Sequence, residues 1–440
     1  MPANMSAMAS LSEPATEPRF FFLMPVWGEM YVDFLLTYGL PTLLSENNLP
    51  ALPNKDQCEF IFLTTVQDEL RIRTTALFGR LAALVAVKFI DLEFHKGSRQ
   101  EKFNQLGNAL KLGAEQALGK GFCFFLHPDG LYSDGMLKFL YGVAKSGKKA
   151  CVSQGPVVAT ESLVPYLTQR GLYRFDEVNR IAPRVLAQTL LDNLHPDMAI
   201  HCLGNPHYPK VPYMGFWMHP NNTGALFRFV SLHPWMVDLS EIDTINEFYA
   251  IDHNFIRMQS FIWTEDVHIE RDSDNFLVLG IKPRHEMNAC PSPMPNRKKE
   301  RSLAKALMQS SNCHYSRYCF LHGMKVHTEN LDEAWHKFEE NNLRWLNRVS
   351  AIDKVFRTTD YQFVRYAKLF LFYTFVQRNP ALALQAAKRV LGRQLRQGRS
   401  YIDKFYRYFF IEKRRGDTVR YVMNVLHINV YAGNSSQLDP

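Results

Sequence analysis

Several clusters in this 440-residue chain carry residue types that do chemistry in other proteins. His127-Pro128-Asp129 sets an imidazole and a carboxylate two positions apart, directly after the apolar run Phe122-Cys-Phe-Phe-Leu126. Such a pair can hold a divalent cation. Imidazole ligates Mn²⁺ but suits Mg²⁺ poorly, because Mg²⁺ prefers oxygen. Asp272-Ser-Asp274 repeats the carboxylate spacing, but it comes late in the chain, beyond the His/Trp-rich section and without a fourth-strand context, so a turn or cap is its expected role. Cys313-His314 with Cys319 and His322 approaches a thiolate–imidazole cluster, but its spacing matches no common zinc module. His201, His207, Trp217, His219, His233 and Trp235 crowd the stretch from 201 to 235. Loop-rich aromatic and His material of that kind lines a pocket more often than it fills a core.

The elements that must position these residues are legible from hydrophobic periodicity. Phe20-Phe-Phe-Leu-Met-Pro25 reads as a buried first strand, broken at Pro25-Val-Trp-Gly28 and followed by helical spacing at Tyr31, Phe34, Leu35 and Tyr38. Phe60–Thr65 and Leu84–Asp91 read as the second and third strands. A helix is expected from about Gln100 to Leu118, then the fourth strand Phe122–Leu126. Strands alternating with helices imply a mostly parallel sheet buried on both faces. Ligands in such sheets bind in the crevice at the carboxyl ends of the strands. That rule selects Pro25-Val-Trp27, Thr64-Thr65, Asp91 and His127-Pro-Asp129 as its lips. Further on, a helix follows Gly135, a strand covers Ala150–Ser153, and helical spacing runs from Val158 to about Leu194. Phe261-Ile-Trp-Thr264 looks strand-like, and residues from about Leu303 to Tyr421 read as helix throughout. Asp134 is a candidate N-cap for the helix beginning near Met136.

Composition supports a large packed core: 46% hydrophobic residues, with 32 Phe and 19 Tyr. The seven cysteines are odd in number and scattered, which suits buried free thiols in a reducing compartment. The first nineteen residues lack a basic start and an apolar core, so no secretory signal is expected and the chain is placed in the cytoplasm. The net charge of +8 is concentrated: between Arg378 and Arg420 twelve Lys/Arg face three Asp/Glu, leaving the rest of the chain near −1. A basic helical stretch with Tyr401, Phe405, Tyr406, Tyr408 and Phe409 suits either a helical cap on the main domain or an anionic membrane surface. The near-neutral main body and the absence of a recognised RNA module argue against nucleic acid. The organisation expected is a leader over 1–18, an α/β domain over 19–282, a Pro-rich linker over 283–300 and a helical region over 301–440.

In this order of elements, residues 20–280 resemble the GT-A-fold glycosyltransferases. The resemblance rests on Phe22-Leu-Met-Pro-Val-Trp27, the β/α alternation that follows, and the acidic position His127-Pro128-Asp129 at the end of the fourth strand. It implies a Rossmann-like, mixed but mostly parallel sheet flanked by helices, here with a C-terminal all-helical extension. It further implies a nucleotide-sugar donor bound by Pro25, Trp27, Thr64, Thr65, Asp91 and Asp129. The family usually has Asp-x-Asp where this chain has His127-Pro-Asp129. Three alternatives follow: a metal, Mn²⁺ before Mg²⁺, held by Asp129 with His127 helping; a metal-independent enzyme; or a lapsed relative that binds without turnover. The acceptor-side base of inverting members falls near Asp252 in Ile251-Asp-His253, with Glu241 and Asp243 as competitors. The acceptor is not specified by the resemblance; a lipid-linked or cell-envelope acceptor would suit the basic C-terminal stretch.

Overall fold

A computed structural model describes residues 17–93, 99–174, 176–210, 212–245, 255, 261–287, 291–309 and 313–358. The chain divides into two compact units, Met1–Arg357 and Thr358–Pro440, and the strands and sheets belong to the first. The basic stretch from Arg378 to Arg420 and the leader up to residue 16 lie outside the described residues. No helix among the described residues is long and apolar enough to cross a membrane.

Fifteen strands occur among these residues: β1 (Phe20–Pro25), β2 (Glu59–Thr64), β3 (Ala86–Asp91), β4 (Phe122–Phe125), β5 (Gly130–Tyr132), β6 (Ala150–Ser153), β7 (Val157–Ala159), β8 (His207–Pro209), β9 (Met214–Met218), β10 (Gly224–Phe229), β11 (His233–Asp238), β12 (Val267–Ile269), β13 (Val278–Lys282), β14 (Pro291–Pro293) and β15 (Met324–His327). Seven form the central sheet, in the order β12-β6-β11-β4-β1-β2-β3. Its neighbours are parallel except at β11, which runs antiparallel to both β4 and β6. The α/β sheet expected from the alternation is therefore present.

The continuous apolar runs of β1, β2 and β4 follow from burial on both faces. Phe21, Leu23, Ile61, Leu63, Cys123 and Phe125 pack with Ala109, Leu110 and Ala114 of the helix Arg99–Glu115. Phe20, Phe22, Met24, Phe60, Phe62 and Phe124 face the other way, toward Leu137 and Leu140 of the helix Met136–Lys145. Successive side chains thus alternate between two cores, the period of a strand.

Three small sheets frame the central one. β13 pairs antiparallel with β5 and parallel with β7, and β9, β10 and β15 form a second unit. β14 pairs antiparallel with β8. Several expectations are corrected here. The stretch 283–300, read as a linker, contributes β14 and the start of the helix Asn296–Gln309. The region read as helical throughout contains β15, hydrogen-bonded to β10. Its Met324 and Val326 are buried, so four residues satisfy a sheet edge that periodicity over so short a run cannot reveal. Phe261 and Ile262 are irregular, a turn covers 263–266, and the strand begins at Val267. The 201–235 stretch is strand-rich, not loop-rich: β10 is buried at every position, which erases the polar alternation that would have marked it.

Candidate functional site

The order β3-β2-β1-β4 means that the chain moves outward from β1 to β3 and then returns to the other side of β1. That reversal makes a switch point between β1 and β4, the place where ligands bind in open α/β sheets. Pro25 ends β1 and is buried; Trp27 beyond it is half-buried. On the neighbouring strand, Leu126, His127, Pro128 and Asp129 follow β4, with His127 and Asp129 half-buried.

Both loops are fixed from below. Gly28 has a positive φ of 81°, a conformation only glycine adopts cheaply, and its N–H donates to Asp68 Oδ2 at 2.9 Å. The Thr65 hydroxyl donates to the same oxygen at 3.0 Å and accepts from the Asp68 N–H at 3.2 Å, capping the helix Val66–Arg73. Asp68 therefore ties the β1 and β2 loops together. Thr64 is buried, and its hydroxyl has no hydrogen-bond partner among the described residues. Asp91 ends β3 and is exposed. Of the expected donor lips, Thr65 thus has a capping role visible in the structure.

The His127–Asp129 loop is held by Tyr132. Its hydroxyl accepts from the His127 N–H at 2.8 Å and donates to the His127 carbonyl at 2.7 Å. The Asp129 carbonyl accepts from the Ile281 N–H of β13 at 2.8 Å. Behind the loop, the first long helix switches to a π-helical turn over Leu35–Gly39. Such turns are rare and recur at functional sites. Here the turn brings Gly39 so close to the loop that a Cβ there would sit 3.3 Å from the Pro128 carbonyl oxygen.

His127 Nε2 lies 3.3 Å from Nδ1 of His233, the first residue of β11, and His233 Nε2 lies 3.0 Å from the Phe125 carbonyl. Trp235 packs edge-on against both rings, at 5.7 Å from His127 and 4.2 Å from His233. Its N–H donates to Ser153 Oγ at 2.7 Å, and the side chain is buried. Burial pushes the pKa of His233 well down, with the His127 charge adding to it. Burial also lowers His127, opposed by the Asp129 carboxylate. The Asp129 carboxyl is raised by burial, partly offset by His127. Tyr31 and Glu286 share this electrostatic environment: loss of solvent raises the Tyr31 phenol, and the charges of Asp129 and Glu286 raise it further.

The remaining sequence candidates fall elsewhere. Asp134 is not the helix cap; Gly135 occupies that position. The Asp134 carboxylate instead accepts from Ser45 Oγ (2.9 Å), Asn47 Nδ2 (2.7 Å) and Arg180 Nε (2.7 Å), which hold its pKa down against burial. Trp217 packs at 4.5 Å against Trp345. His219 stacks on Trp335 at 4.7 Å, and His201 is buried against Tyr213, so both serve packing. Asp252 lies outside the described residues, while Glu241 pairs with Lys149 at 2.8 Å and Asp243 is exposed. Tyr31, Tyr132 and Glu286 carried no expected role: Tyr132 lies only five positions beyond His127, and Glu286 comes near Asp129 from the segment after β13.

Asp272, Asp274 and His327 bring ligand atoms within 4.8 Å of one another, a grouping that can hold a cation. Their donors are already engaged. Arg184 binds both Asp274 oxygens, at 2.9 and 2.7 Å. His327 Nδ1 faces the Glu329 carbonyl at 2.6 Å and Nε2 faces Asp272 Oδ1 at 2.8 Å. A backbone carbonyl and a carboxylate both accept, so this setting favours the doubly protonated ring, in keeping with its raised pKa. A metal there would have to strip that proton and displace Arg184. The expected turn is what the chain forms at 272–275.

No family model and no curated protein matches this chain. Among solved structures, it is similar to mouse xyloside xylosyltransferase 1 in its apo form, at 12% identity over 36% of this chain and 61% of that one, with a TM-score of 0.22. It is similar to S. aureus TarS at 15% identity over 40% of this chain and 34% of that one, TM-score 0.22. TarS residues 1–349 align at 10% identity over 78% of this chain and 92% of that one, TM-score 0.27. This chain thus spans less than two thirds of the length of the first two of these structures.

Proposed function

We propose that this chain transfers a sugar from a nucleotide-diphosphate donor to an acceptor hydroxyl. The observation that carries the reading is the placement of His127 and Asp129 at the carboxyl end of β4, beside the β1 end at the sheet's switch point. In this reading Pro25, Trp27, Thr64, Thr65 and Asp91 border the donor. Sugar transfer needs charge stabilisation at the departing diphosphate, which a divalent cation supplies. The residues present fit one. Asp129 offers an oxygen, and the unengaged ring nitrogen of His127 offers a borderline ligand, a set that suits Mn²⁺ better than Mg²⁺. Thr64, with its unpartnered buried hydroxyl, offers a donor toward the nucleotide. Asp252 keeps the proposed base role on the acceptor side, since a base needs a carboxylate within hydrogen-bond reach of the attacking hydroxyl. Cys58, Cys123, Cys151 and Cys202 form no disulfide, which suits a reducing compartment such as the cytoplasm. An envelope or lipid-linked acceptor remains the proposal matching the basic C-terminal stretch.

The test is nucleotide release and binding across UDP-, GDP-, dTDP- and CMP-sugars with Mn²⁺, Mg²⁺ or EDTA, repeated on Asp129→Asn. Mn²⁺-stimulated release of one nucleotide, lost in the variant, supports the transferase. Tight binding without release supports a non-catalytic binding protein built on the same fold. No binding to any donor sinks the reading.

A further inference from the structure

We propose that His233 is a positioning residue that locks His127 in a single tautomer, presenting the His127 Nδ1 lone pair to a cation held beside Asp129. The inference rests on the donor-site reading above and deepens it.

The assignment follows from a chain of donors and acceptors. The Phe125 carbonyl only accepts, so His233 Nε2 at 3.0 Å carries the proton. No described residue forms an ion pair with His233, so at about pH 8, above the ordinary histidine range, the half-buried ring is neutral and its Nδ1 holds a lone pair. His127 Nε2, 3.3 Å from that lone pair, must then be the donor. A neutral imidazole has one N–H, and this one is spent on His233. The His127 Nδ1 is left as an acceptor, and no hydrogen bond from a described residue engages it. A histidine that ligates a metal through one nitrogen while donating the other N–H to a neighbour has its ring orientation and basicity fixed by that neighbour. Here the neighbour is a second imidazole, itself anchored to the backbone of β4.

The lock is rigid for reasons of packing. His233 opens β11 opposite Ser153 of β6, so its backbone is pinned in the central sheet. Trp235 lies against both imidazoles, and its own N–H is committed to Ser153 Oγ at 2.7 Å. Turning either ring would require moving a buried indole. The 106 residues separating the two histidines explain why no sequence spacing announces the pair.

The experiment uses the full-length chain with ¹⁵N-labelled histidine, the His127 resonances being assigned by their loss in His127→Gln. Long-range ¹H–¹⁵N spectra are expected to show a protonated Nε2 and an unprotonated Nδ1 for His127. In His233→Phe the two tautomers should mix, and Mn²⁺ affinity, read from the EPR signal of the free ion, should fall about 10- to 100-fold. In His233→Gln the amide oxygen can accept from His127 and the amide N–H can donate to Phe125, so the spectrum should recover and affinity return to within about threefold of the native chain. A native His127 protonated at Nδ1 overturns the inference, and the native spectrum decides this even if His233→Phe does not fold. A His233→Phe that leaves spectrum and affinity unchanged overturns it too. Equal losses in Phe and Gln variants would reduce His233 to packing and also overturn it. A native chain with the expected tautomer but no Mn²⁺ binding would overturn the cation-presenting role and the cation reading of the site together, leaving only the measured tautomer.

Discussion

Lowering the pH should destabilise this protein through His201, by an amount the structure fixes. His201 is fully buried, its Nδ1 lies 2.8 Å from the Asp197 carbonyl, and its Nε2 has no partner among the described residues. Tyr213 lies 4.3 Å from the ring and Tyr208 lies 6.0 Å away. Burial lowers the pKa from 6.5 to about 4, with the Asp197 interactions opposing it. The unfolded chain can therefore take up a proton between those two values that the folded chain refuses. Stability from this group is fully present above the unfolded pKa and is lost as pH falls through the window toward the folded one. At about 1.4 kcal/mol per pKa unit, the whole effect is about 3 kcal/mol, of which about 2 kcal/mol appears between pH 7 and pH 5. His127 and His233 are also held neutral by burial and steepen the native slope in the same direction. The comparison with His201→Gln isolates the one group. Gln keeps a donor for Asp197 and does not titrate, so its cost, about 1–3 kcal/mol for an imperfectly satisfied buried amide, should be the same at both pH values. Urea unfolding at pH 7 and pH 5 measures both chains. The native chain should lose about 2 kcal/mol more than the variant across the interval. Parallel losses would show that His201 is solvated or charged in the folded state, and would refute the reasoning.

The Asp272–His327 pair predicts a dependence of the opposite sign. His327 has a raised pKa through Asp272, so its contribution is full below the unfolded histidine value and lost as pH rises through the folded one. Asp272 is lowered by the same contact, and its contribution is lost only under acid conditions. The stability deficit of Asp272→Asn should therefore be larger near pH 6 than near pH 9, measured by thermal melts; an equal deficit would show that the ring is neutral. Gly130→Ala places a Cβ 2.7 Å from the Tyr132 ring, whose hydroxyl holds the His127 backbone. It should cost about 1–3 kcal/mol by overpacking, and it should weaken Mn²⁺ binding as the loop shifts. Arg184→Ala breaks a two-bonded contact to Asp274, but both side chains are more than a third exposed. Its cost in urea melts should stay below about 1 kcal/mol, and a larger loss would mean that the pair is more desolvated than its exposure indicates.

The sequence by itself determined the first four strands of the central sheet. Runs such as Phe20–Pro25 and Phe122–Phe125 are apolar at every position, and only a strand buried on both faces explains that pattern in so few residues. Applied to β/α alternation, the carboxyl-end rule expects Pro25, Thr64, Asp91 and Asp129 along one edge, and β1, β2, β3 and β4 do run parallel. Asp272-Ser-Asp274 could also be read as a turn, because it lies far beyond the fourth strand. Strand direction and long-range pairing left no such trace. β11 reads His-Pro-Trp-Met-Val-Asp, with a proline that argues against a central strand, and nothing in it says that it inserts antiparallel between β4 and β6. That insertion alone carries His233 to His127. β15 is four residues long, and its membership of a sheet depends on β10 lying beside it. Asp134 could be placed near a helix start, but its bonds to Ser45, Asn47 and Arg180 arise from segments up to 89 residues away. Local composition fixes which residues prefer to be buried or extended, since those preferences act over one or two turns of chain. Which side chains meet, and hence which proton sits on which nitrogen, is decided only when tertiary packing brings remote segments into contact.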